Sequence, residues 1–290
     1  MKSGKILVTG ANGQLGRSLR DISASHPELE FVFLSREDMP IHHYEGMRNV
    51  FSAVRPDVLV NCAAYTAVDK AESERDLAML VNAEAPGVLA TICRESGCRF
   101  IHISTDYVFD GKGNIPYREE DPTAPASVYG LSKREGETNA LEANPDSIVI
   151  RTSWVYSEHG KNFVKTMMRL MREHERVGVV NDQYGSPTYA RDLAECILQI
   201  IESDRWLPGI YHYSNEGDIT WHDFALAIRD IIGSGCIVDS ITTEQYPTPA
   251  PRPAYSALSK EKIRQAYGMR LIPWRISLEN CIARMRSKSR

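Results

Sequence analysis

Three observations predict an α/β fold in which a doubly wound parallel sheet carries a smaller C-terminal α/β lobe. Short apolar runs recur through the first half of the chain, at residues 5–9, 31–34, 57–65, 100–105 and 148–156, as buried parallel strands do. Helical patterns lie between them, as right-handed crossovers require. A glycine-rich turn follows the first run directly, where such sheets bind ligands.

The first run ends in Gly10-Ala11-Asn12-Gly13-Gln14-Leu15-Gly16, and a helix then opens through Leu15, Leu19 and Ile22. Strand, glycine turn and helix together aim backbone N–H groups and a helix N-terminus at a pyrophosphate. Gly10, Gly13 and Gly16 therefore mark a Rossmann-type dinucleotide site, although GxxGxxG is wider at its start than the usual GxGxxG and a simple turn is the competing reading. The second run ends in Ser35-Arg36 rather than an acid. A guanidinium suits a 2′-phosphate better than a ribose 2′-hydroxyl, so NADPH is expected, with NADH still possible; the alternative is a solvated arginine at a loop start.

The third run closes on the small residues Cys62, Ala63 and Ala64, which let a cofactor approach the backbone. A loop through Asp69 leads into a helix carrying Asn82 and Leu89. Asp69 fits the dipole of that helix as well as it fits a site. The fourth run delivers Thr105 to the same sheet edge. His102, flanked by isoleucines, reads as a packed strand residue rather than a catalytic base. The segment up to Ser127, with Gly111, Gly113, Pro116, Pro122 and Pro125, is expected to fold over the site.

Beyond residue 156 the pattern changes. Met167, Met168 and Met171 read as core packing; helices are expected over 191–202 and 221–232 and near Leu278, a strand over 209–214, and a proline-rich connection over 247–253. Residues 1–156 are expected to form the dinucleotide-binding unit and 157–290 mainly a substrate-binding lobe, with 187–215 returning to the first.

The chemistry centres on Thr105, Tyr129 and Lys133. A helix opening near residue 127 sets Tyr129 and Lys133 one turn apart on one face. A free phenol titrates near ~10, and a neighbouring cation favours phenolate. Lys133 supplies that cation, and the Thr105 hydroxyl can hold a substrate oxygen in line for proton transfer. Taken alone, Tyr and Lys at this spacing also describe an amphipathic surface pair.

A net charge of −4 and a pI near 6.1 give no electrostatic reason to expect nucleic acid or an anionic membrane. No apolar run approaches the ~18 residues of a spanning helix, and the N-terminus lacks a signal-type apolar region. Six scattered cysteines lack metal-ligand spacing, which suits reduced thiols in a cytoplasm.

The blocks quoted so far, with Asn61 to Glu72, Ser104 to Gly111, Tyr129-Gly130-Leu131-Ser132-Lys133, Arg151 to Tyr156, Asn181 to Gly185 and Arg252 to Ser256, resemble the extended short-chain dehydrogenase/reductases over nearly the whole chain. Within them the chain resembles the dTDP-4-dehydrorhamnose reductase family. The resemblance implies hydride delivery from NAD(P)H to the C4 ketone of a dTDP-4-keto-6-deoxyhexose, with Tyr129 as proton donor, Lys133 on the nicotinamide ribose and Thr105 on the substrate oxygen. It implies that Gly10, Gly13, Gln14, Leu15 and Gly16 hold the pyrophosphate, with Ala63, Ala64 and Tyr65 along the cofactor. Val68, Asp69, Tyr107 and Trp154 would line the sugar pocket, and Asn162, Gln183 and Arg252 would face the nucleotide; for Arg252 a surface role is equally open. Related dehydratases carry an acid where this chain has Tyr107, which argues against dehydration. A nucleotide-sugar epimerase, or a non-catalytic cofactor-binding subunit resembling the β subunit of methionine adenosyltransferase, stays open as an alternative. Two departures stand out: Pro40-Ile41 near the expected adenine position, and Arg17-Ser18 where some relatives build a Mg²⁺-dependent dimer contact. No metal is assigned, and the oligomeric state is left at monomer or homodimer.

Overall fold

The computed structural model describes residues 4–39, 41 and 43–287; the expectation about Pro40 therefore falls outside the described residues. The main sheet has six parallel strands, β1 (Gly4–Thr9), β2 (Leu29–Phe33), β3 (Val58–Asn61), β4 (Arg99–Thr105), β5 (Ile148–Thr152) and β10 (Gly209–His212), in the order β10-β5-β4-β3-β1-β2. The chain reverses direction across the sheet between β1 and β3, the switch point at which open α/β sheets leave a crevice.

Strand alternation divides two cores. Ile6, Val8, Val58, Val60, Ile101, Ile148 and Ile150 face a layer made by α1 (Gln14–Ser23), α8 (Ala190–Glu202) and α10 (Glu261–Tyr267). Leu7, Leu59 and Phe100 face the opposite layer, with Met47 and Phe51 of α2 (Tyr44–Val54) and Leu89 of α5 (Ala85–Ser96). β10 and α8 join this unit from late in the chain, and so does α10 through Ile263 and Tyr267. A third core is built from Tyr156, the three methionines and Val164 of α7 (Phe163–Glu173), Phe224 and Ile228 of α9 (Trp221–Ile232), and Leu278 and Ile282 of α11 (Trp274–Ser287).

Two of the expected strands are shorter than the apolar runs that announced them. The third ends at Asn61 because residues 62–63 cross directly over Gly10: a Cβ there would lie 2.7 Å from Ala63 N, and Gly10 has φ +63°. The fifth ends at Thr152 because Trp154 adopts φ 47°, a left-handed conformation uncommon for a bulky side chain. β6 (Val155–Tyr156) then leaves the sheet and pairs with β9 (Thr188–Tyr189).

Residues 68–96 do not form one regular helix. A short α3 (Val68–Ala71) is followed by α4 (Arg75–Met79), a π-helical turn at Leu80–Glu84, and α5. Pro86 has no N–H to give the Asn82 carbonyl four residues back, which accounts for the widened turn. That carbonyl instead presses on α6 (Val128–Ala143), where a Cβ on Gly136 would sit 2.0 Å from it. The stretch Arg75–Ser96 is long and apolar enough to span a membrane by length and composition, contrary to the expectation from sequence. Half of that window is buried, and Leu89, Ala90 and Cys93 pack into the sheet-side core with Ala140 of α6.

Candidate active site

The crevice at the switch point opens into a cavity of about 990 Å³. One end is the glycine turn. Gly16 permits a close turn, since a Cβ there would stand 2.5 Å from Gly10 O. The N-terminus of α1 carries no capping side chain, so its first N–H groups are left for a ligand. These features fit a pyrophosphate, and Gly10, Gly13, Leu15 and Gly16 line the cavity there. Gln14 lines it too, but its amide is already committed: Nε2 donates to Val155 O at 3.1 Å, and Oε1 accepts from Ser157 Oγ at 3.0 Å and Asn162 Nδ2 at 2.9 Å. The side chain thus ties α1 to residues 155–162.

Ser35 and Arg36 stand at the cavity mouth beside Met39 and Ile41. The Ser35 hydroxyl donates to Glu37 and its N–H to Asp38, and these bonds hold both carboxyls below their ordinary pKa values. Arg36 is the exposed cation of this group. Cys62, Ala63, Ala64, Tyr65 and Val68 continue the wall. Tyr65 is fixed by its backbone: its N–H donates to Asn82 Oδ1 at 2.8 Å, and its carbonyl accepts from Asn82 Nδ2 at 2.9 Å.

The deep end collects the three chemistry-bearing residues. Ser127 caps α6, its hydroxyl oxygen accepting from Gly130 N–H at 3.1 Å. Gly130 lets the first turn of α6 lie against Tyr107, whose carbonyl oxygen would be 2.2 Å from a Cβ at that position. The Tyr129 and Tyr107 rings consequently meet edge to face, 5.6 Å between centroids at 75°. Burial raises the Tyr129 phenol to about 12, with the Thr105 hydroxyl hydrogen-bonded to it pulling the other way. Thr105 donates to Asp106 Oδ1 at 3.0 Å; burial pushes that carboxyl up to about 6, opposed by the Ser256 and Thr105 hydroxyls. Lys133 is buried, with Nζ donating to Ile103 O at 2.7 Å and lying 3.3 Å from His102 Nε2. Burial lowers Lys133 to about 8, resisted first by the Glu137 carboxylate and then by Cys62. A phenol kept protonated and an ammonium near its titration point suit proton donation to an oxygen.

Trp154, bent inward by its backbone, closes the far wall, and Trp221 stacks on it at 3.6 Å and 10°. The remaining expected residues lie outside the cavity lining. Asn162 caps α7; Gln183 Nε2 donates to Thr243 Oγ1 at 2.9 Å. Arg252 and Asp69 pair with each other at 2.8 Å, and Asp69 also accepts from Ala250 N–H, which pins the proline-rich connection to α3. Sequence reasoning did not single out Trp221, Asp106 or Asn82 as site residues. Only the tryptophan had a local signal, an aromatic at the start of an amphipathic helix.

Residues 4–287 match the family model described as the RmlD substrate binding domain. The chain is 45% identical over 275 residues to a spore coat polysaccharide biosynthesis protein (SpsK) of Bacillus subtilis, covering 94% of this chain and 95% of that one. It is 41% identical over 286 residues to a dTDP-4-dehydrorhamnose reductase of Aggregatibacter actinomycetemcomitans, covering 95% and 97%. It superposes on a Bacillus anthracis dTDP-4-dehydrorhamnose reductase solved in complex with NADP with a TM-score of 0.94, at 36% identity and 97% and 99% coverage.

Proposed function

This chain belongs to the dTDP-4-dehydrorhamnose reductase family, and from that membership we propose its reaction: NADPH-dependent reduction of the C4 ketone of dTDP-4-dehydro-L-rhamnose to dTDP-L-rhamnose. The observation that carries the reading is the convergence of Thr105, Tyr129 and Lys133 on one cavity with the glycine turn. NADPH supplies the hydride. Tyr129 gives its phenolic proton to the oxygen formed at C4, and the Thr105 hydroxyl, free to rotate from Asp106, holds that oxygen. Lys133 binds the nicotinamide ribose and its charge stabilises the phenolate left behind. Trp154, Trp221, Val68 and Tyr107 enclose the sugar and exclude water. Asn162, Gln183 and Arg252 act from outside the cavity lining, on the nucleotide end and its approach, while Asp69, expected at the sugar, is instead paired with Arg252. Residues 157–290 supply most of this substrate lobe, apart from the elements that return to the sheet.

The test is NADPH consumption with dTDP-4-dehydro-L-rhamnose and chromatographic identification of the product. Matched amounts of dTDP-L-rhamnose and NADP⁺ are expected. NADPH binding without consumption would overturn the reading and favour a cofactor-binding regulatory role.

Two further outcomes follow from the same site. Arg36→Ala is expected to raise the KM for NADPH by about tenfold or more, the size of one lost charge-assisted contact, and to leave that for NADH nearly unchanged; equal effects would remove Arg36 from the 2′-phosphate. Because the lysine is shifted downward, its ammonium is lost as pH rises through about 8. A profile of kcat/KM for NADPH, which reports groups of the free enzyme, is expected to fall on that alkaline side.

A further inference from the structure

His102, a packed strand residue by its sequence context, is fully buried in β4. Its surroundings are polar along one line. Thr9, Asn61 and His102 are register partners across β1, β3 and β4, so their side chains stand side by side on one face of the sheet. Thr9 Oγ1 and Asn61 Oδ1 are 2.6 Å apart, Asn61 Nδ2 and His102 Nδ1 3.1 Å, and His102 Nε2 and Lys133 Nζ 3.3 Å. Ala63 N–H, in the cavity wall, donates to Thr9 Oγ1 at 3.3 Å.

We propose that this Thr9–Asn61–His102 ladder is a positioning device for Lys133, in which His102 accepts a hydrogen bond from the ammonium and so fixes its place and charge for the cofactor. The inference rests on the role given to Lys133 above. An ammonium has three donors and no acceptor. One goes to Ile103 O, and Nε2 is placed to receive a second, leaving the third for the cavity. For Nε2 to accept, the neutral imidazole carries its proton on Nδ1, which then donates to Asn61. The proposal therefore requires the Asn61 amide to turn, its oxygen toward His102 and its nitrogen toward Thr9, reversing the arrangement in which Thr9 Oγ1 donates to Oδ1 and Nδ2 faces Nδ1. Burial and the Lys133 charge both keep His102 neutral, its pKa well below the ordinary value. The other groups acting on Lys133 are Glu137, on its own helix and ion-paired to Arg151, and Cys62 beyond β3.

The ladder makes a prediction by isostere. A glutamine at 102 can offer an oxygen where Nε2 stands; an asparagine reaches only the Nδ1 side; phenylalanine offers neither. In the full-length enzyme His102→Phe and His102→Asn are expected to move the alkaline limb of the kcat/KM profile for NADPH to lower pH by about one unit, the size of one charge-assisted hydrogen bond, and to raise the KM for NADPH. His102→Gln is expected to keep the wild-type limb. An unmoved limb in folded Phe and Asn variants, or a Gln variant that shifts as far as Phe, would overturn the proposal in favour of packing. Should the variants fail to fold, ¹⁵N NMR of the wild-type imidazole decides on its own: the Nδ1–H tautomer with unprotonated Nε2 is expected, and an Nε2–H tautomer or an imidazolium would overturn it. The NMR result does not depend on turnover, so it fails separately from the reductase reading.

Discussion

Tyr129→Phe is expected to lower kcat by about 10²- to 10⁴-fold, the range contributed by a positioned general acid, with little change in the Kd for NADPH. The two halves of that expectation have separate physical grounds. The phenyl ring keeps the edge-to-face contact with Tyr107, and Lys133 is held by Ile103 O and His102 rather than by the phenol, so the cofactor side of the cavity is undisturbed. What is lost is the proton, and the neighbours are poor substitutes at neutral pH. Burial, helped by the Asp106 charge, raises the Tyr107 phenol further still, which leaves it a weak acid. Asp106, at about 6, is mostly ionised at pH 7 and has no proton to give. Lowering the pH through 6 would protonate it, so residual activity of the variant that rises as the pH falls toward 6 and levels off below it would identify Asp106 as a reserve donor. Wild-type turnover at neutral pH would mean that the proton comes from elsewhere.

The parts of this molecule that were legible in the sequence are those set by local periodicity. The apolar runs of β1, β3 and β4 and the glycine spacing after β1 announced the sheet and the turn, because each is written in consecutive residues. The runs over 57–65 and 148–156 misled at their ends, where tertiary demands took over: the crossing of residues 62–63 above Gly10, and the left-handed Trp154. Periodicity carries no trace of either. Tyr129 and Lys133 were legible because they share a helix face, whereas Trp221 on Trp154 and His102 on Lys133 join residues that are distant in sequence. An isolated histidine between isoleucines looks the same whether it faces a leucine or a buried ammonium. Asn82 was hidden for another reason: its role depends on a widened helical turn caused by Pro86, four residues later.

Arg151→Met is expected to destabilise the fold by about 3–5 kcal/mol, the cost of stranding one partner of a buried ion pair, and to lower Tm by on the order of 10 °C for a chain of this size. Arg151 and Glu137 expose only 3% and 4% of their side chains. The guanidinium meets the carboxylate through Nε at 2.9 and 3.1 Å and through Nη2 at 2.7 Å, and also caps the Phe109 ring at 5.0 Å. Removing it leaves Glu137 with the Ser104 hydroxyl and an uncompensated buried charge. The double variant Arg151→Met with Glu137→Leu is expected to recover much of the loss, since an apolar pair of similar volume can replace a buried ion pair at little cost. Equal melting temperatures for the single and double variants would show that the destabilisation comes instead from the other contacts of Arg151, with the Phe109 ring, Glu119 O and His212. The double variant should also carry a signature at the active site: Glu137 is the leading influence holding the Lys133 ammonium against its burial. With that carboxylate gone, a stable enzyme whose alkaline limb has moved to lower pH is expected, separating what the pair does for the fold from what its carboxylate does for the lysine.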